Sequence, residues 1–272
     1  MVITSKENEK VKLVRSLNQK KGREKNNAYY LEGLKVTYEI LESKEAINVM
    51  FIAYSSEIMS KINYGKISFE KIVKRCEENN IKMFDIKENI FEFMCDTVTP
   101  QGILCVLKKD IKSLDVEISN NIEKNIFVLD SVRDLGNIGT IIRNSAAFDI
   151  KNIICINNTA DVYSPKCLRS TMGNILKVNV FYEKSLNVIN YLKEKGYNII
   201  ATSLSDNSDE LKNFDFSKKC AFILGNEANG VCFQVLDLCD QKIKIEMKYD
   251  IESLNVSSAS AIISYLQYIN KN

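Results

Sequence analysis

Ile126-Phe127-Val128-Leu129 and, after a short polar gap, Leu135-Gly136-Asn137-Ile138-Gly139-Thr140-Ile141-Ile142-Arg143-Asn144-Ser145-Ala146-Ala147-Phe148 decide how this chain folds. The first run is apolar without alternation, as a strand buried on both faces requires. The second changes period. At about 100° per residue, Ile138, Ile141, Ile142, Ser145 and Phe148 share one stripe, which predicts an amphipathic helix over 138–148. Gly139, Arg143 and Ala147 fall roughly opposite. A guanidinium between two such small neighbours can meet another chain or a phosphate closely. A surface arginine on an amphipathic helix gives the same pattern. Gly136-x-x-Gly139 matches part of a dinucleotide fingerprint, but the full G-x-G-x-x-G is absent.

The alternation continues toward the C-terminus. Strands are predicted at 153–156, 199–200, 222–224 and 243–245, with a helix near Leu168. A closing helix is predicted over 254–269, where Leu254, Ala261, Ile262, Tyr265 and Ile269 can share a buried face. Alternating strands and helices argue for a mostly parallel sheet covered on both sides. Of ten glycines, Gly136, Gly139, Gly173, Gly225 and Gly230 fall in this half at strand–helix junctions, which suggests backbone turns close to a ligand.

The N-terminal half alternates on its own, which makes it a second α/β unit. Ser5 can cap a helix carrying Val11, Val14 and Leu17. A basic loop over 20–25 follows, then a short strand at 29–31, a helix at 34–41 and a strand at 49–53. A helix at 70–78, a strand at 81–84, a short helix at 89–95 and a buried strand at 103–107 complete it. Past Lys108 the periodicity fades into Lys, Asp, Asn and Ser. The expected division is therefore a domain over 1–108, a linker over 109–124 and a second domain over 125–272.

Composition narrows the chemistry. The 272 residues are 45% hydrophobic and 26% charged, enough apolar material for two cores and too much for disorder. There is no histidine and no tryptophan. Zero His removes Ser-His-Asp and Cys-His hydrolysis and every His-containing zinc site. The eight cysteines contain no C-x-x-C, so no metal is expected and the thiols read as inert in a reducing cytoplasm. The chain starts without an apolar signal core and holds no membrane-length apolar run. Residues 1–30 carry eight Lys/Arg against three Glu, a net of +5 in a chain whose total is +2. Lys20, Lys21, Arg23 and Lys25 are candidate phosphate contacts, which suggests nucleic acid. A solvated helix face fits the charges equally.

Two further segments carry chemistry. Leu224-Gly225-Asn226-Glu227-Ala228-Asn229-Gly230-Val231 places two glycines around a carboxylate after a strand, where open α/β sheets bind ligands. A plain turn with a capping Glu would look the same. Ser253-Leu254-Asn255-Val256-Ser257-Ser258-Ala259-Ser260-Ala261 is a run of small residues at a helix start. In order and spacing, these segments resemble the SpoU/TrmH family of RNA ribose 2′-O-methyltransferases. The family's N-x-G-x-x-x-R is matched by Asn137, Gly139 and Arg143. Its L-G-x-E-x-x-G is matched by Leu224, Gly225, Glu227 and Gly230, and its S-L-N-V by Ser253 to Val256. Ser164-Pro165-Lys166 and Arg169-Ser170-Thr171-Met172-Gly173 resemble the segment after the second strand. Ile3-Thr4-Ser5, Glu32-Gly33 and Thr99-Pro100-Gln101-Gly102 resemble the family's substrate-binding domain. Two departures stand out. Ile245-Glu246-Met247-Lys248-Tyr249 replaces I-P-M-x-G, and Asp149 replaces a glycine after Phe148.

The resemblance implies a small N-terminal α/β RNA-binding domain of ribosomal-protein type and a C-terminal, mostly parallel-sheet domain with a trefoil knot. It implies S-adenosylmethionine as cofactor, held near Thr202, Leu224, Gly225, Asn226, Gly230, Ile245, Met247, Leu254 and Asn255. It also implies a homodimer in which Arg143 of one subunit completes the other's site. Arg143, Asn137, Glu227, Ser253 and Asn255 are the implied catalytic residues, and Arg169 joins the N-terminal lysines as an RNA contact. The implied reaction is methyl transfer to a ribose 2′-hydroxyl, with rRNA favoured over tRNA. The other readings are a tRNA methyltransferase and a non-catalytic RNA-binding protein that retains the fold.

Overall fold

Val11, Val14 and Leu17 are fully buried, and the helix that carries them opens at Asn8 rather than Ser5. The Asn8 side chain accepts from Lys10 N at 2.9 Å, satisfying one of the free donors at a helix start. The computed structural model describes residues 2–62, 68–110, 112–120, 125–205, 207–248 and 253–271. It divides into two units, one of Met1–Ile111 with Tyr163–Leu176, the other of Lys112–Val162 with Lys177–Asn272.

The first unit runs α1 (Glu9–Leu17), α2 (Lys20–Asn26), β1 (Ala28–Glu32), α3 (Leu34–Leu41), β2 (Val49–Tyr54), α4 (Ser56–Met59), α5 (Phe69–Glu78), β3 (Met83–Asp85), α6 (Glu88–Met94) and β4 (Ile103–Lys108). Its sheet has the order β1-β4-β2-β3, antiparallel except for β2 beside β3. The basic segment at 20–25 is helix, not loop. It has no apolar stripe to announce it, and Arg23 supplies the inward anchor instead. The Arg23 guanidinium is buried and donates from Nη1 to the Leu17 carbonyl at 2.6 Å. Gly22 sits so close to α1 that a Cβ there would collide with the Ser16 carbonyl.

Glu32 explains why two distant sequence segments belong together. Its carboxylate accepts from Gln101 N at 2.6 Å and from Thr97 Oγ1 at 2.9 Å, and burial pushes its pKa up. Gly33 beside it holds φ +124°, a conformation open mainly to glycine.

The second unit comprises α7 (Leu114–Asn120), β5 (Ile126–Asp130), α8 (Leu135–Ala147), β6 (Asn152–Ile156) and, after α9 (Pro165–Thr171), β7 (Asn179–Tyr182). It continues through α10 (Asn187–Glu194), β8 (Asn198–Thr202), β9 (Asp209–Glu210), β10 (Cys220–Leu224), α11 (Phe233–Leu236), β11 (Gln241–Lys244) and α12 (Val256–Lys271). The α9 segment clusters with the first unit, where the Tyr163 and Tyr29 rings lie 5.0 Å apart. A single cut at 109–124 does not describe that arrangement. Nor are residues 109–124 all linker. Leu114 and Ile118, one helical turn apart, put α7 against the core of the second unit.

The second sheet is parallel throughout, in the order β7-β6-β5-β10-β8-β11-β9. From β7 at one edge the chain crosses to β8, then returns to place β10 between β5 and β8. Strands β5, β6 and β10 are buried at every position, as their unbroken apolar runs require. Helix α8 begins at Leu135, with Asp134 Oδ1 accepting from Asn137 N at 2.8 Å. Ile138, Ile141, Ile142 and Ser145 face inward as expected, and Gly139 joins them, since it borders Ile142 on the wheel. Arg143 and Ala147 are exposed.

Helix α12 is rotated from its expected orientation. Val256, Ser260, Ile263, Ser264 and Gln267 are buried, whereas Leu254, Tyr265 and Ile269 are exposed. Partners inside the protein make that polar stripe tolerable. Ser264 Oγ donates to the Ser260 carbonyl at 2.7 Å, and Gln267 Nε2 donates to the Phe148 carbonyl at 2.6 Å. All eight cysteines are free thiols. Burial raises Cys76 and Cys239 to about 11 and others further, so these thiols stay protonated near neutral pH. Among the described residues, no helix is long and apolar enough to cross a membrane.

Arg23→Ala strands the Leu17 carbonyl and should lower the unfolding free energy by about 1–3 kcal/mol in urea titration. An unchanged midpoint would mean that this buried guanidinium does not hold α2.

Candidate active site

Three loops at the C-terminal edge of the parallel sheet build the site, and one carboxylate joins them. The loop after β10 must fold back at once. A Cβ on Gly225 would collide with the backbone of Gly230 and Val231, and Gly230 holds φ +68°. Asn226 N donates to the Gly230 carbonyl at 2.9 Å, and Gly230 N donates back at 2.9 Å. This turn presents Glu227 to the start of α8. Its carboxylate accepts from Arg133 N at 3.3 Å, Asp134 N at 3.1 Å and Asn137 Nδ2 at 3.0 Å. Asn226 Nδ2 adds a fourth donor at 3.4 Å.

The chain of contacts continues into the third loop. Asn255 Nδ2 donates to Asn137 Oδ1 at 2.9 Å, while Asn255 Oδ1 accepts from Ser257 N at 2.8 Å and Ser257 Oγ at 2.6 Å. One residue beyond Arg143, Asn144 Nδ2 donates to the Ser257 carbonyl at 2.9 Å and to Ser260 Oγ at 2.8 Å. Burial raises the Glu227 pKa, but donation from Asn137 and the backbone outweighs it, and the net shift is downward. An ionised carboxylate with its acceptor sites filled is no proton acceptor at neutral pH. Glu227 and Asn137 position the loops, and no bond from either reaches Arg143.

Beside these loops lies a cavity of about 640 Å³, within the usual range for a small-molecule site. Thr202, Gly225, Asn226, Gly230, Ile245, Met247, Leu254 and Asn255 line it, together with Glu227 and Ser253. Leu224 does not. It is fully buried as the last residue of β10 and supports the wall from behind. Sequence reasoning missed Ser203, Leu204, Leu236, Ile243, Lys244, Val256, Ala259 and Ile263, which also line the cavity. Ser203 and Leu204 follow β8 as Gly225 follows β10, so the strand-end rule would have found them.

Of the departures in the third segment, Glu246 leaves the flanking wall residues in place. Ile245 and Met247 face the cavity, while Glu246 accepts from Lys212 N at 3.3 Å and lies 3.6 Å from Lys212 Nζ. Tyr249 lies outside the described residues. Asp149 takes φ 60° and lies 3.2 Å from Lys151, so it adopts the left-handed conformation that a glycine would take freely.

Arg143 is exposed, has no hydrogen-bond or ion-pair partner among the described residues, and does not line the cavity. Ser253 is exposed at the cavity wall. In the first unit, Lys20, Lys21 and Lys25 are exposed on α2, with Lys20 3.9 Å from Glu24. Arg23 is removed from the candidate contacts by its burial. Arg169 is engaged by Asp96, with Nη1 and Nη2 at 3.2 and 3.1 Å from one carboxylate oxygen.

Comparison with known proteins agrees with this geometry. The SpoU rRNA Methylase family model matches residues 124–265, and the MRM3-like substrate binding domain matches residues 8–105. The 23S rRNA (guanosine(2553)-2'-O)-methyltransferase RlmP of Bacillus subtilis is 28% identical over 263 residues, 97% of each chain. The 23S rRNA (guanosine-2'-O-)-methyltransferase RlmB of Acinetobacter baylyi is 25% identical over 202 residues, 72% of this chain and 82% of its own. The AdoMet-bound rRNA methyltransferase structure from Sinorhizobium meliloti superposes with a TM-score of 0.83 at 24% identity, covering 98% of this chain and 97% of its own. The chain has that fold, which in SpoU methyltransferases is knotted.

Glu227→Gln keeps the shape but turns an acceptor toward backbone N–H groups as a donor. It should destabilise the second unit at neutral pH. Because the Glu227 pKa is lowered in the fold, its contribution is present above the unfolded carboxylate value and fades as pH falls through the folded one. Thermal melts from pH 7 down to 3 should therefore converge for the two proteins. Parallel melting curves across that range would contradict this role.

Proposed function

The chain belongs to the SpoU rRNA methylase family, and from that premise we propose that it transfers a methyl group from S-adenosylmethionine to a ribose 2′-hydroxyl of RNA, with 23S rRNA as the substrate. The observation that carries this reading is the Glu227–Asn137–Asn255 chain of hydrogen bonds. It gathers the three family segments around one cavity at the C-terminal sheet edge. The cavity fits the cofactor. Its apolar wall of Ile243, Ile245, Met247, Leu254 and Ile263 suits a nucleoside, and its volume accommodates a ligand of that size. When bound, S-adenosylmethionine supplies an electrophilic methyl group.

Arg143 acts on the RNA side. It holds the phosphate beside the target ribose and stabilises the charge that develops on the attacking 2′-oxygen. Ser253 and Asn255 shape the wall on which the cofactor's methionine end rests. No described contact ties Arg143 to its own chain's cavity, which supports a homodimer in which it serves the partner's site. The outward face of α12 supports the same assembly, since Tyr265, Tyr268 and Ile269 are 41–51% exposed. In the first unit, Lys20, Lys21 and Lys25 bind RNA phosphates in the cytoplasm, where rRNA is made and modified.

Arg143→Ala should reduce methyl transfer to 23S rRNA by about 10²–10³-fold while cofactor binding stays intact. Arg143→Lys keeps the charge but loses the planar fork, and should remain impaired. Transfer is measured with labelled cofactor and rRNA from a strain lacking the gene. Normal turnover in the alanine variant would remove Arg143 from catalysis. Replacing Lys20, Lys21 and Lys25 together should weaken RNA binding and flatten its salt dependence by roughly 0.7–0.9 in log–log slope per lost phosphate contact. An unchanged slope would make α2 a solvated face.

A further inference from the structure

Most polar side chains around the cavity are engaged in holding its walls. Thr202 Oγ1 donates to the Ile223 carbonyl at 3.0 Å, and Ser203 Oγ lies 3.3 Å from Ser205 Oγ. Asn226 Nδ2 is bound to the Ser131 carbonyl at 2.9 Å. Asn255 is bound at both ends, and Glu227 has four donors. Lys244 is different. It is half-buried at the end of β11, and no other lysine or arginine lines this cavity among the described residues. It has no hydrogen-bond or ion-pair partner among them.

The acidic groups near Lys244 are shared with Lys212, and Glu210 feels the charge of both lysines. Glu210, the register neighbour of Lys244 in β9, lies 2.7 Å from Lys212 Nζ, and Glu246 also faces Lys212. A cation facing a half-enclosed cavity is costly unless a bound anion meets it. The cofactor proposed above is cationic at sulfur and at its amine, and the carboxylate of its methionine part is its one anionic group, so that is where an ammonium gains most.

We propose that Lys244 binds the cofactor's α-carboxylate and thereby selects ligands that carry one. This rests on the S-adenosylmethionine reading and adds a residue that none of the three family segments contains. Lys244 is a cofactor-binding residue that takes no part in the chemical step.

Calorimetry with two ligands tests this. S-adenosylmethionine carries the carboxylate, and decarboxylated S-adenosylmethionine keeps the sulfonium and the amine but lacks it. The wild-type protein should prefer the first. Lys244→Met, which keeps the stem and removes the charge, should weaken S-adenosylmethionine by about tenfold or more and leave the decarboxylated ligand as tight or tighter. Lys244→Arg should keep the preference. Equal weakening of both ligands in Lys244→Met, or no weakening of either, overturns the proposal. Failure of the wild-type protein to bind either ligand overturns the cofactor reading, and the carboxylate assignment falls with it.

Discussion

The Glu227 carboxylate is the contact on which the rest of the site depends. Helix α8 opens with donors that have no partner inside the helix, and Asp134 satisfies one of them. Glu227 takes the backbone N–H groups of Arg133 and Asp134 just before the helix, along with the Asn137 amide. A negative charge at a helix N-terminus is favourable in its own right. Three elements remote in sequence, the β5–α8 loop, the β10 turn and the start of α12, thus share one acceptor and the asparagine pair bound to it. Each element contributes wall to the cavity or carries Arg143, so their registration fixes both.

The third segment has contacts of its own. It lacks the proline and glycine of its family, and in their place Glu246 is tied to Lys212. That pair is open to solvent, which screens it.

The core strands were legible in the sequence because strands buried on both faces write themselves as unbroken apolar runs. Ile126–Asp130 and Asn152–Ile156 lie within one residue of their expected bounds for that reason. The site was legible because Gly225 and Gly230 answer to steric constraints and Asn137, Glu227 and Asn255 to one hydrogen-bond chain. What failed to show was structure held by polar groups. Arg23 counts as charge in a composition and as an anchor in the fold, so α2 read as a loop. Ser260, Ser264 and Gln267 look like surface residues until their partners are known, so the expected α12 face lies nearly opposite the buried one. The allegiance of Tyr163–Leu176 to the first unit depends on contacts far away in sequence, and no local pattern encodes them.

The inverted orientation of α12 bears on assembly. A helix that buries serines and a glutamine gains little from the hydrophobic effect on that side, and it leaves Tyr265, Tyr268 and Ile269 facing outward. Phe148, at the end of α8, lies 5.6 Å from the Tyr265 ring and 6.0 Å from the Tyr268 ring, so the aromatic surface is continuous across both helices. Monomers seldom keep large contiguous apolar patches open to water. In the homodimer proposed above a second copy of the chain would cover this surface, and Arg143 lies on α8, which Phe148 closes. The exposed aromatic surface and Arg143 therefore lie on the same pair of helices, which favours the proposed homodimer over an isolated chain.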